Sequence, residues 1–511
     1  MIFLIFGLWI YSFFYVPTFD LDESLYRRVA EEMKWNGNFW HPVWDTRALN
    51  HKPPFFYWLV VLFSKLFDGA DAGVSILAAR FPSFLATLGI IFSLGSDRGF
   101  NKTSFLNTFL LWGCALFPLA TSTSVLFDPL QTLAFIPCLL IPHRAFSENR
   151  SIKRKELLLI ALSMFAATAI KGLTGLILPS LAIGLHLVLS DYKTTFKEGL
   201  RFFIFSFLPA TLLSTLYYLF LDQKMGRAFT EEFFLVHHLG RGTQAMEAHH
   251  GPFYYYIGII LIGGGLLIPL LAKQVLRTGF NFKCLGFPFS YSIATLVFFS
   301  ISATKLPHYT WPIWPALLLQ LITLQNKPSK LSRWSESSIW KIFLIPIFSL
   351  GLALFWFALN PEIVSQTEID SSEILMFSIG ATLCIMIAFL FKRFMKQPEF
   401  IALFMALITV SIAIPASSIS ERILVTPFFE VAHELKKYNP KSGECIRDSG
   451  PNTATLSLAL GKELGRDFTH NRCEPEAMKY LISPTSKKAE CAERKMSVLL
   501  EGKTLTLCGK I

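Results

Sequence analysis

Acids and bases gather in short stretches between apolar runs. Asp20, Asp22 and Glu23 follow the first run, and His51-Lys52-Pro53-Pro54 precedes an aromatic one. Asp128 opens a run, and Lys171 lies between two others. His237, His238, Arg241, His249 and His250 share one loop, and Lys305 and His308 share another. Ionisable groups this close to hydrocarbon are costly and usually functional. Lysines and an arginine (Lys52, Lys171, Arg241, Lys305) suit an anionic ligand. Carboxylates (Asp22, with Glu23 and Asp128 in support) are candidates for acid–base work. His51, His249 and His250 make a candidate zinc site, since imidazole suits that metal. Structural readings compete. Asp22, Glu23 and Asp128 could cap helices, and the lysines could snorkel to headgroups. Their convergence points to a site for an anionic, membrane-borne substrate.

The elements that position these residues follow from composition. The chain has 511 residues, 52% of them hydrophobic and 16% charged, with 50 Phe. Its mean hydropathy is +0.47. Soluble proteins average about 25% charged residues, so a soluble chain and a disordered one are both excluded. Apolar segments near 2–17, 81–97, 104–121, 125–142, 156–170, 173–189, 202–221, 253–272, 284–302, 309–325, 342–359, 374–391 and 399–415 predict about 13 transmembrane helices, each near the length that crosses ~30 Å. The segment 2–17 lacks a charged n-region and a small-x-small cleavage site, and is read as a helix that stays.

Alternate loops are rich in cations: Arg144, Arg150, Lys153, Arg154 and Lys155 in one, Lys193, Lys197 and Arg201 in another, and Lys392, Arg393 and Lys396 in a third. The positive-inside rule places these loops and the N-terminus in the cytoplasm. Most of the net charge of +11 is then ordinary loop charge, and no nucleic acid is needed to explain it. Residues 1–415 form the transmembrane part, and 18–80 a long outside loop. The run from Pro54 to Phe63 is short and reads as an interfacial helix. Residues 416–511 read as a small extracytoplasmic α/β domain. It holds Cys445, Cys473, Cys491 and Cys508. Disulfides are expected there, in one of three pairings. The absence of a Cys-x-x-Cys pair argues against zinc in the tail.

Four motifs in order carry a resemblance. Asp22-Glu23-Ser24-Leu25-Tyr26 is similar to D-E-x-x-Y, and Lys52-Pro53-Pro54-Phe55-Phe56-Tyr57-Trp58 to K-P-P-x-x-Y-W. Lys171-Gly172-Leu173-Thr174-Gly175-Leu176 is similar to K-G-P-x-G-L, with Leu173 replacing the usual proline. Lys305-Leu306-Pro307-His308-Tyr309 with Pro312 is similar to K-L-P-x-Y-x-x-P, and Ala79-Arg80-Phe81-Pro82-Ser83 to A-R-x-P-S. Together they resemble the GT-C integral-membrane glycosyltransferases. The nearest branch holds the aminoarabinose lipid A transferases, with the dolichyl-phosphate-mannose protein mannosyltransferases as more distant relatives. The family often has Glu where His51 stands here, and Arg where Leu25 stands.

The resemblance implies a GT-C fold, an undecaprenyl-phosphate-linked sugar donor and inverting transfer to an acceptor outside the cytoplasm. The sugar would be 4-amino-4-deoxy-L-arabinose or similar. The acceptor would be lipid A, another envelope glycan or a protein. A protein O-mannosyltransferase-like enzyme and a transporter or flippase of lipid-linked sugars are the alternatives. Tyr26, Lys52, Tyr57, Lys171, Arg241, Lys305 and Tyr309 would line the substrate site. No cofactor is required beyond the candidate zinc. The setting would be the bacterial inner membrane, with the active site and tail facing the periplasm.

Overall fold

The computed structural model describes residue 13 and residues 21–44, 47–70, 72–97, 102–189, 195–243, 251–265, 267–278, 282–325, 426–438, 445–448, 478–484, 497–501 and 505–509. The candidate spans at 342–359, 374–391 and 399–415, and all of 2–17 except Phe13, lie outside these residues.

Helix α1 (Leu21–Asn36) begins with Asp22 and Glu23 and ends near Lys34, an order that matches the helix dipole. Tyr26, Val29, Ala30 and Met33 form its buried stripe, with the spacing of one helical face. The stripe packs on Phe56, Tyr57, Val60 and Val61 of α2 (Phe55–Phe67). At about 1.5 Å per residue, α2 is about 20 Å long, shorter than the ~30 Å of hydrocarbon. Lys34 Nζ donates to Ser64 Oγ at 2.8 Å and to the Ala72 carbonyl at 2.7 Å, tying α1 to α2.

The chain then enters α3 (Ile76–Gly95), where Ser75 Oγ caps the Ala78 amide at 3.1 Å. The segment expected at 104–121 is two helices, α4 (Lys102–Trp112) and α5 (Leu116–Thr121). Next come α6 (Phe127–Ser147), α7 (Arg154–Lys171) and α8 (Thr174–Leu189). Helix α9 runs from Phe196 to Met225 and contains a π-helical turn at Phe203–Phe207. A short helix at Arg227–Glu231 leads into a second π-helix, Glu232–Gly240.

The segment expected at 253–272 is broken into α10 (Tyr255–Gly263) and α11 (Leu267–Thr278), which meet at 100°. The sequence Gly263-Gly264-Gly265 explains the break: Gly265 has φ +49°, which costs glycine little. Helix α12 (Phe282–Ile301), a 3₁₀ turn at Pro307–Thr310 and α13 (Ile313–Gln325) complete this part.

Among the described residues, α3 and α9 are long and apolar enough to cross a membrane as single helices. Helix α8 packs along α12, and α6 along both α3 and α7. At the end of the bundle carrying the cationic loops, ion pairs join Arg144 to Asp97 at 2.7 Å, Arg150 to Glu148 and Glu156 at 2.8 Å, and Arg201 to Glu198 at 2.8 Å.

In the tail, α14 (Thr426–Lys437) accompanies a four-stranded sheet of β1 (Cys445–Asp448), β2 (Met478–Pro484), β3 (Ser497–Glu501) and β4 (Leu505–Gly509). The strand order is β1-β2-β4-β3, and only the β1–β2 pair is parallel. Cys445 pairs with Met478, and Cys508 with Leu481. These two cysteines are thus two strands and three residues apart, or about 14 Å at ~4.8 Å per strand and ~3.3 Å per residue. A disulfide spans at most about 7 Å between Cα atoms, so that pairing is excluded.

Candidate functional site

A cavity of about 530 Å³ opens among α6, α7, α8, α12 and the second π-helix. Its walls differ in character. His51, Lys52, Lys171, His237 and His238 line the polar end, while Leu181, Leu185, Ile293, Val297 and Ile301 line an apolar trough between α8 and α12. The motifs place the polar groups. Pro53-Pro54 starts α2 immediately after Lys52, and Pro54 lies at φ −75°, the value its ring imposes. Lys171 is the last residue of α7. The next residue, Gly172, has φ +112°, and a Cβ there would collide with His238 Nε2 and the Phe233 ring. Only glycine allows the turn that presents Lys171. Gly175 is needed for a different reason: a Cβ there would strike the backbone and hydroxyl of Thr168.

Lys171 Nζ donates to Asp128 Oδ1 and lies 4.9 Å above the Tyr309 ring. His308 Nε2 lies 4.0 Å from the other Asp128 oxygen. Burial pushes the His308 imidazole down to about 4, and Asp128, Lys171, Asp22 and Lys52 all act on it electrostatically. Asp22 accepts the Tyr26 hydroxyl at 3.3 Å. Burial, then the Asp22 charge, raises the Tyr57 phenol well above its ordinary value. The expected residues Asp22, Lys52, Asp128, Lys171 and Tyr309 are therefore neighbours.

Others are placed elsewhere. Glu23 is fully buried, bonded to Arg80 Nε at 3.1 Å and Nη2 at 3.0 Å, and it also accepts the Val125 amide at 2.9 Å. It ties α1 to α3 and to the loop before α6. Lys305 does not line the cavity. Its Nζ donates to the carbonyls of Phe299 at 3.1 Å, Ser300 at 2.7 Å and Ser302, and so caps the C-terminus of α12. A cation is favoured there, although burial lowers the Lys305 pKa. Tyr57 and Tyr26 pack in the core with Phe127. Arg241 opens the short segment Arg241–Thr243, and its side chain lies outside the description. His249 and His250 lie outside the described residues.

His51 instead meets groups on the π-helix. Its ring centroid is 3.9 Å from that of His237. His51, Glu232 and His237 each bring one ligand atom within 4.8 Å of the others. Two imidazoles and one carboxylate make a set that could hold zinc. Asn50 Nδ2 also donates to Glu232 at 2.8 Å. The neighbouring His238 accepts the Leu173 amide at 3.2 Å and pairs with the Phe233 carbonyl at 2.8 Å. Gln131, one turn beyond Asp128, bonds Thr174 Oγ1 at 2.9 Å and the Ala167 carbonyl at 3.1 Å. Sequence reasoning placed His308 in the cluster without giving it a role, and did not select Gln131 or Glu232. The signal available for Gln131 was an amide three residues after Asp128 in an apolar run.

No protein-family model matches the sequence. The chain is 30% identical over 323 residues to an uncharacterized protein of Aquifex aeolicus, a match covering 62% of this chain and 69% of that one. It is 27% identical over 322 residues to an undecaprenyl phosphate-alpha-4-amino-4-deoxy-L-arabinose arabinosyl transferase of Erwinia tasmaniensis, covering 61% of this chain and 57% of that protein. The chain thus spans just over half the length of that named relative. Its fold is similar to that of ArnT from Cupriavidus metallidurans bound to undecaprenyl phosphate, with a TM-score of 0.74 at 17% identity over 99% of this chain and 96% of that one. The fold and relatives define an integral membrane protein. Named relatives and fold together support a glycosyltransferase of the GT-C type.

Proposed function

We propose that the protein moves a sugar from a polyprenyl-phosphate donor to an acceptor outside the cytoplasm. The observation that supports this reading best is the cavity, whose cationic end (Lys52 and Lys171) meets an apolar trough. That shape suits a lipid with a phosphate head. The donor would lie with its phosphate at the two lysines and its chain between α8 and α12.

The bond from the anomeric carbon to the phosphate oxygen breaks, and its electrons leave with the polyprenyl phosphate. Lys52 and Lys171 offset that growing charge. Asp22 faces the positive anomeric centre, or takes the proton of a hydroxyl acceptor. A phosphate acceptor arrives ionised and needs no base. The acceptor attacks opposite the leaving group, which inverts the centre. Asp128 holds Lys171, while Glu23 and Lys305 support the frame. No step requires a metal, and His51, Glu232 and His237 remain a candidate zinc site.

The named arabinosyl transferases support 4-amino-4-deoxy-L-arabinose, or a similar sugar, passing from an undecaprenyl-phosphate donor to lipid A. The finer architecture belongs to the same proposal: about 13 transmembrane helices in residues 1–415, with residues 416–511 as an α/β domain. The site and tail would face the periplasm of a bacterial inner membrane. Mass spectrometry of lipid A and envelope glycans from a deletion strain tests the reading. One sugar missing from one pool, restored by the wild-type gene, is expected. Unchanged pools would reject it.

A further inference from the structure

We propose that His308 is a positioning residue of the transfer site: its uncharged imidazole braces one oxygen of Asp128, while the other oxygen holds Lys171 at the cavity. The inference rests on the transferase reading above. The 3₁₀ turn carrying His308 is held firmly. The Leu306 amide donates to Tyr256 Oη at 3.1 Å, Thr310 Oγ1 donates to the Pro307 carbonyl at 2.8 Å, and Lys305 clamps the preceding loop onto α12. The buried ring therefore has a fixed place, with Nε2 4.0 Å from Asp128 Oδ2. That is longer than a hydrogen bond. It still lets an Nε2–H dipole face the carboxylate, which favours the tautomer protonated at Nε2.

Asp128 thus has two neighbours with different tasks. Lys171 supplies charge at Oδ1, and His308 limits rotation of the carboxylate from the Oδ2 side. The charged groups acting on the ring are Asp128 and Asp22, opposed by Lys171 and Lys52, and the Tyr309 ring lies 5.2 Å away. An imidazolium here would compete with Lys171 for Asp128 and free the lysine from its set position. Burial keeps the ring neutral until the pH approaches 4.

The test measures transfer from undecaprenyl-phosphate-linked aminoarabinose to lipid A by purified protein, at matched folded-protein levels. His308→Leu should lower kcat about tenfold, within the range that misplacing a supporting group produces. His308→Gln, a neutral donor, should recover to within about threefold of wild type. Combined with Lys171→Met, His308→Leu should add no further loss, because both changes remove one linked function. Multiplicative losses in the double variant, or a Gln variant no better than Leu, would overturn the inference while wild type stays active. An inactive wild type would instead remove the transferase reading, and this inference with it.

Discussion

Two buried acid–base pairs lie near the start of the same bundle, and they differ in what surrounds them. Glu23 and Arg80 are closed off: the carboxylate takes two guanidinium bonds and a backbone amide, and neither residue lines the cavity described above. Asp128 and Lys171 are open on one side, and Lys171 forms part of the cavity wall. The first pair joins three segments of chain. The second presents a charge to a space that a ligand can fill. Residue type and burial are alike in both, so the cavity, not the ion pair, separates structure from function.

The largest effect is expected at the closed pair. Glu23→Ala leaves the Arg80 guanidinium buried without its carboxylate, a change that typically costs about 3–5 kcal/mol. The protein should disappear from membranes on immunoblots. Normal accumulation with full transfer would break the comparison. At the open pair, Lys171→Met should lower turnover about 10²-fold, the scale set by losing one preplaced group at a developing charge. The protein should still accumulate, and loss of protein instead of activity would make this pair structural as well.

Lys305→Met sharpens the contrast further. Its charged hydrogen bonds to the end of α12 suggest a loss of about 1–3 kcal/mol. A lower melting temperature with an unchanged KM for the donor is expected. A raised donor KM at unchanged stability would return Lys305 to the substrate site. The smallest effect is expected in the tail. Non-reducing peptide mapping of the tail should link Cys508 to Cys473 or Cys491. A Cys445–Cys508 peptide would contradict the strand register.

Much of this was legible in the sequence, because local rules governed it. The acidic start of α1, the Pro-Pro entry to a helix too short to cross, and the glycine turn after Lys171 all follow from neighbouring residues. Lys52, Lys171 and Tyr309, each from a different motif, line one cavity. Glu23 and Lys305 were misleading, because their partners (Arg80, and the carbonyls ending α12) could be identified only in three dimensions. The π-helix carrying Glu232, His237 and His238 was illegible for a similar reason. A π-helix is rare, and its Phe233 packs on Tyr218 of α9, a contact made only in three dimensions. The break at Gly263-Gly264-Gly265 was visible in composition, but the apolar run around it hid the bend.

The central claim is that the cavity holds a lipid phosphate through Lys52 and Lys171. Its most direct test is equilibrium binding of undecaprenyl phosphate to the full-length protein in nanodiscs, comparing wild type with Lys52→Ala. A charge-assisted contact is worth about 1.5–3 kcal/mol, so saturable wild-type binding should weaken about 10- to 100-fold in the variant. Equal affinities for the two proteins would contradict the account.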